Sequence, residues 1–336
     1  MLVTTKNISL IIIVAILFFG IECKENVTDA SSFPKYKVAF FSHGGTVSIV
    51  DDDGEREKIF AYGRLPRWSP DGNRIVYEKY IKGTFNIYIF NISDTSKTII
   101  TNDSAGNFYP QWSPSGEKIV FESIRNRNRE IYVSNTDGSS QINLTNTASD
   151  ESRPQWSHDG TKIIYVSSTN SSNSDIWMMD ADGNNKVNLT NGIGRNGSPA
   201  LSPLGNKIAF ISNRDSLSTK VYTMNLNGSE VLKLSDIPIL DIPVSWSHDA
   251  SKIVFGSDII YTINADGTGR KALTKASQIY YDYSPIWCPD DSKIVFVSTR
   301  THYNDIFVMD SDGKNVKQLS SKTIDNVFPA WSPIKN

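Results

Sequence analysis

From residue 68 onward the sequence repeats one phrase. A Trp followed by Ser, or by Cys in one copy, stands at 68, 112, 156, 246, 287 and 331, with Leu201 in the seventh place. The copy over 153–190 shows the unit: Arg-Pro-Gln-Trp-Ser-His-Asp-Gly, then Lys-Ile-Ile-Tyr-Val-Ser, then Asp-Ile-Trp-Met-Met-Asp-Ala-Asp-Gly, then Lys-Val-Asn-Leu-Thr. These are four short β-type runs joined by turns. A period of roughly 40–45 residues with four strands marks a propeller blade. One such sheet cannot bury both its faces, so each must pack on like neighbours around a ring.

Counting copies sets the size of the ring. Residues 36–60 supply runs two, three and four without a first, and the tail around Trp331 supplies a first run without the others. Six whole copies and one split copy predict an all-β, seven-bladed β-propeller of four-stranded antiparallel blades. The C-terminal strand joins the N-terminal strands, which closes the ring and hides the edges a split blade would expose. The turns fit this reading. In Ser69-Pro70-Asp71-Gly72 the proline presets a type I turn, and in Asp180-Ala181-Asp182-Gly183 the glycine supplies a positive φ. The near-continuous apolar runs at 162–166 and 293–297 suit strands covered on both faces. The repeated Trp is expected to wedge between blades, where its large area stabilises most.

The phrase Pro-x-Trp-Ser-Pro-Asp-Gly-x-x-Ile-Val-Tyr, with Asp-Ile-Tyr/Trp-x-Met-Asp-x-Asp-Gly and a closing Leu-Thr, resembles the TolB-type, WD-like β-propeller repeat over about 36–333. The resemblance implies the propeller fold. It leaves function open, because this repeat serves in periplasmic scaffolds, peptidase gating domains and surface proteins. The protein that gives the family its name carries an additional N-terminal domain and a six-bladed ring. Here seven blades are counted and only a linker precedes Tyr36, so a role different from that protein's is expected.

The N-terminus differs in kind. Lys6 is the only charge before an apolar run at 8–21, which is short for a bilayer span and fits an export signal. Cys23 stands where a lipoprotein carries its acylated cysteine; ordinary cleavage and an uncleaved anchor are the other outcomes. The expected division is an export segment at 1–22, a polar linker at 23–35 and one propeller over 36–336, placed in the periplasm or at the cell surface. Membrane contact is expected only through that N-terminal anchor. A formal net charge of −2 gives no basic surplus for nucleic acid. Of 336 residues, 39% are hydrophobic, enough for one large core. Cys288, in a serine slot, reads as a small buried residue.

No metal or other cofactor is expected. The Asp-x-Asp-Gly turns would gather carboxylates for calcium, but they lack the spacing and terminal Glu of a calcium loop. His158 and His248 share one repeat slot where siblings carry Pro, so they read as turn residues. Both Asp-Gly turn types connect strands at one end of the blades. Longer, variable connections collect at the other end, where a rigid scaffold presents its binding residues. Arg125, Arg127 and Arg129 crowd one such loop. Tyr280, Tyr281, Tyr283, Arg300 and Tyr303 fall near the same end, and Arg with Tyr is a common hot-spot pairing. No catalytic residues are assigned. The expectation is a non-enzymatic scaffold binding a protein, peptide or glycan on its loop face. The alternative is a polysaccharide lyase or hydrolase with its site at the channel mouth.

Overall fold

The computed structural model describes residues 35–170, 173–239, 243–320 and 325–334. The expected export segment, Cys23 and most of the expected linker therefore lie outside the described residues. Among the described residues no helix is long and apolar enough to cross a membrane.

Seven four-stranded antiparallel sheets follow one another, each beginning at the channel and ending at the rim. Blade A consists of β28 (Asn326–Trp331), β1 (Lys37–Ser42), β2 (Thr46–Asp51) and β3 (Lys58–Tyr62). Blade B is β4 (Arg64–Trp68), β5 (Arg74–Ile81), β6 (Thr84–Asn91) and β7 (Lys97–Ile99). Blade C is β8 (Asn107–Trp112), β9 (Lys118–Ser123), β10 (Glu130–Asn135) and β11 (Ile142–Asn143). Blade D is β12 (Asp150–Trp156), β13 (Lys162–Asn170), β14 (Asn173–Asp180) and β15 (Val187–Asn188). Blade E is β16 (Asn196–Leu201), β17 (Lys207–Ser212), β18 (Lys220–Asn225) and β19 (Leu232–Lys233). Blade F is β20 (Ser245–Trp246), β21 (Lys252–Gly256), β22 (Ile260–Asn264) and β23 (Lys271–Ala272). Blade G is β24 (Asp282–Trp287), β25 (Lys293–Ser298), β26 (Asp305–Asp310) and β27 (Lys317–Gln318). Each blade packs on the next, and G packs on A. The expected seven blades and split closure are both present.

Closure rests on β28 pairing with β1, with Val38 opposite Trp331 and Ser42 opposite Asn326. Ser42 Oγ donates to Asn326 Oδ1 at 2.5 Å. Lys37 N donates to Ser332 Oγ at 2.9 Å, and Ser332 N returns a bond to the Lys37 carbonyl at 2.7 Å.

The core is a set of layers between blades. Each second strand buries one aromatic ring at its centre: Phe40, Tyr77, Phe121, Tyr165, Phe210, Phe255 and Phe296. Sheets covered on both faces need such apolar runs. The tryptophans do wedge between blades, and four of them also tie one blade to the next. Trp68 Nε1 donates to the Ala330 carbonyl at 3.1 Å, Trp112 to Arg67 at 3.1 Å, Trp246 to Ala200 at 2.9 Å and Trp331 to Ile286 at 3.1 Å.

The turns consume their own polar groups. Ser69, Ser113, Ser157, Ser202 and Ser247 each accept the backbone N–H five residues on. Cys288 Sγ takes that role for Lys293 N at 3.0 Å, so the cysteine fills a serine site. In the third-to-fourth-strand turns Asp137, Asp182, Asp266 and Asp312 each accept the N–H two residues on. The glycine there does more than permit a positive φ. A Cβ on Gly138 would sit 2.7 Å from the Ile99 carbonyl oxygen of the preceding blade.

Candidate functional site

Because strands alternate in direction, both Asp-Gly turns of every blade lie at one end. The second-to-third-strand loops and the blade-to-blade connections lie at the other, here the loop face. Most of those connections are long: residues 100–106, 144–149, 189–195, 234–244, 273–281 and 319–325. Between blades A and B the connection is Gly63 alone. A Cβ on Gly63 would stand 2.3 Å from Tyr77 Cδ2 and 2.5 Å from the Glu78 carbonyl oxygen, so only glycine fits. The loops at 43–45 and 82–83 on the same two blades are also short. This sector of the face is left uncovered.

What lies there is a groove of about 600 Å³ walled by aromatic rings and cations. Tyr62 is 70% exposed, Tyr80 62% and Phe328 45%. Tyr80 leans on Phe85 (5.0 Å between centroids, 57° between planes), and Phe85 on Phe108 (5.8 Å, 53°). Arg64 lays its guanidinium over the Phe85 face at 3.7 Å. Phe41, His43 and Lys79 complete the walls. Phe328 faces the mouth because it takes a left-handed backbone (φ 56°) at a bulge in the inner strand, just before Pro329. Leu65, Tyr109, Arg153, Ser198 and Ser284 occupy the same kink in five other blades.

Beneath the groove the repeat is broken twice. The fourth core position of the second strand is Phe41, Val166, Ile211, Gly256 and Val297 in five blades, but Glu78 in B and Glu122 in C. Both glutamates are fully buried. Glu78 accepts Arg64 Nε at 2.8 Å and Tyr109 N at 2.7 Å. Glu122 accepts Arg129 Nη1 at 2.8 Å and Arg153 N at 3.3 Å. Burial pushes the Glu122 carboxyl up to about 7 against the pull of Arg129, and raises Glu78 as well. Further round, blades D and E enclose a polar cavity of about 360 Å³ with Arg153, Arg195, Asp150 and Asn170 in its wall.

The residues singled out from sequence fall into two groups. Arg125 is built into the fold: it donates to Asn107 Oδ1 (3.1 Å) and Gln141 Oε1 (2.9 Å), with its guanidinium over Tyr132 at 4.4 Å. Arg300 does the same in blade G, bonding buried Asp282 at 2.8 Å and covering Phe307 at 4.7 Å. Arg214 repeats the device in blade E, with Asn196 as acceptor at 3.1 Å. Arg129 is held by Glu122, and Tyr283 donates to Asn304 Oδ1 at 2.7 Å. Arg127, Tyr281 and Tyr303 stand exposed at the face, while Tyr280 lies 5.3 Å from the Arg300 guanidinium. The residues of blade C and those of blade G are not joined: blades A and B separate C from G on one side, and D, E and F on the other.

Among the described residues, no group of three or more His, Cys, Asp or Glu side chains is gathered as metal ligands would be. The A–B groove escaped sequence reading because its rings come from five strands. The signal that could have found it was the absence of any connector between the copies at 58–62 and 64–68.

Residues 25–192 match the TolB beta propeller domain family, half of the chain. The chain belongs to the TolB β-propeller domain family. A 66-residue stretch is 39% identical to the Tol-Pal system protein TolB of Paramagnetospirillum magneticum, taking in 18% of this chain and 14% of that protein. The match thus spans about a seventh of that relative's length. Among solved structures, TolB from Acinetobacter baumannii superposes with a TM-score of 0.60 at 22% identity, over 89% of this chain and 67% of that one. An oligogalacturonate lyase from Vibrio parahaemolyticus gives 0.66 at 14% identity, over 81% and 85%. At such identities the likeness speaks to the fold.

Proposed function

We propose that this TolB-family propeller is an exported, non-enzymatic scaffold that holds a protein partner on its loop face. The supporting observation is the uncovered A–B sector, where Tyr62, Tyr80 and Phe328 are exposed on strands that cannot move apart. Large rigid rings beside cations are the composition of interface hot spots, and a preformed ring keeps the ordering cost of binding low. The buried carboxylates Glu78 and Glu122 are already held by Arg64 and Arg129, which suits architecture. The relative from Paramagnetospirillum magneticum is named as a protein of the Tol-Pal system, which agrees with a protein partner. Arg127, Tyr281 and Tyr303 offer a second contact zone, and peptides or glycans fall within the reading. The site of action is the periplasm or cell surface, with attachment through Cys23 or release by cleavage.

Photocrosslinking in the native envelope tests this. A crosslinkable residue at Tyr80 or Tyr281 is expected to capture one defined partner, and one at the turn-face residue Lys252 is not. Capture from Lys252 alone would overturn the assignment of the face.

One observation favours a second reading. Glu122, buried in the second strand of blade C with its carboxyl pushed up to about 7, has the proton affinity of a general acid, and a lyase of oligogalacturonate shares the fold. Turnover of a uronate oligomer that is lost in Glu122→Gln would establish it; no turnover by the intact protein removes it.

A further inference from the structure

The A–B groove is specific enough in its chemistry to say what kind of segment enters it. Its walls carry Arg64, Lys79 and His43 and no carboxylate. Lys79 is half-buried, with its ammonium 5.3 Å from the Tyr88 ring, so it is held near the groove. Glu78, the nearest acid in sequence, lies buried beneath the wall with both oxygens occupied. His43 faces Asp325 at 3.6 Å. Arg64 is balanced by Glu78 and His43 lies against Asp325, which leaves Lys79 as the wall's cation for a negative occupant.

Ring orientation separates the candidate occupants. Sugars stack on flat, open aromatic faces. Here Tyr80, Phe85 and Phe108 are tilted against one another by 57° and 53°, and the Phe85 face is already covered by Arg64. Tilted rings make a cup that receives apolar side chains. Branched or aromatic side chains fit it, and backbone between them would run past the cations.

We infer that the groove formed by Phe41, Tyr62, Arg64, Lys79, Tyr80 and Phe328 binds an extended acidic peptide segment whose apolar side chains enter between the rings. The inference rests on the loop-face reading above and names the partner's contacting chemistry. Tyr62 and Tyr80 take the anchors, and Lys79 reads the acidic flank. Because the connector is Gly63 alone, the segment passes across the A–B junction without displacing any loop.

The full-length exported protein is titrated by fluorescence anisotropy with a ten-residue peptide alternating Asp or Glu with Leu and Phe. Two comparison probes are the same peptide with Lys for each acid and a uronate oligosaccharide. Binding of the acidic peptide is expected to weaken about tenfold or more in Tyr80→Ala and in Lys79→Glu, a typical hot-spot loss. Binding should also weaken as salt is raised. Lys252→Glu, the same charge change at an exposed site on blade F, is expected to bind as the parent does. Each variant is checked for an unchanged thermal midpoint, and Tyr80→Phe is expected to keep most of the affinity. Equal binding of the lysine peptide, preference for the uronate, or undiminished binding by Tyr80→Ala would overturn the inference. Crosslinked capture from Tyr281 but not from Tyr80 would overturn it while leaving the scaffold reading intact.

Discussion

Four blade junctions carry a pair of polar side chains 21 residues apart. Asn107 donates to Asn86 at 3.3 Å, Asn196 to Asp175 at 3.4 Å and Asn326 to Asp305 at 3.1 Å. In each the inner-strand member is an amide. At the C–D junction it is Glu151, facing Glu130, and both are buried. Glu130 accepts Thr147 N at 2.8 Å and Asn128 Nδ2 at 3.1 Å, while Glu151 accepts Thr147 Oγ1 at 2.8 Å and Ser167 Oγ at 3.0 Å. Burial, and then the neighbouring Glu130 charge, push Glu151 up to about 7. The folded chain thus keeps a proton that the unfolded chain releases in the ordinary carboxylate range. Its stabilising contribution is whole below that range and is lost as pH rises through about 7. Glu151→Gln restores the siblings' amide and removes this loss, worth on the order of 3 kcal/mol at most. The variant's thermal midpoint is expected to exceed the parent's by several degrees at pH 8, with the gap closing toward pH 4; a gap independent of pH would refute the account. The pairing was hidden in the sequence because its members lie in different blades. The serine and aspartate turns, whose partners are two to five residues away, were legible.

Strands and turns were read closely because period and turn chemistry are local. What the reading missed was how one strand grips the next blade. The tryptophan bond to a neighbouring carbonyl is present at Trp68, Trp112, Trp246 and Trp331, whereas Trp156 Nε1 is buried with no hydrogen-bond partner. Trp112→Phe is therefore expected to lose about 1 kcal/mol more than Trp156→Phe, measured by denaturant unfolding, since only the former gives up a bond. Nor does the sequence announce that the residue before Pro in the Pro-x-Trp phrase takes a left-handed backbone, as residues before proline usually favour extended conformations. That kink aims Phe328 and Tyr109 at the mouth. At Gly63 the constraint is steric, and Gly63→Ala is expected to cost roughly 1–3 kcal/mol through overpacking against Tyr77. A thermal midpoint equal to the parent's would show that the A–B junction yields.

At the scale of the molecule, the count of copies gave the ring and its closure because both follow from period and arithmetic. The site did not follow so simply. A propeller brings together residues remote in sequence, and the arginine cluster at 125–129 proved to be largely engaged in holding blade C together. The aromatic groove instead gathers Phe41, Tyr62, Tyr80 and Phe328 from two blades and both ends of the chain. Deleting residues 325–336 would strip β28 from β1 and open one wall of that groove. The truncated protein is expected to melt at least ten degrees lower and to lose the acidic-peptide signal together with cooperativity. A truncation that melts as sharply as the parent would deny β28 its structural part.

Pairing the last strand with the first has a consequence for how the protein comes into being. Until residues 326–331 arrive, Ala39 and its neighbours present an unmatched edge, and blade A lacks its inner strand. A chain synthesised amino end first must wait, unlocked, for its final segment. The same latch that ties the finished ring leaves the emerging chain open until its synthesis ends.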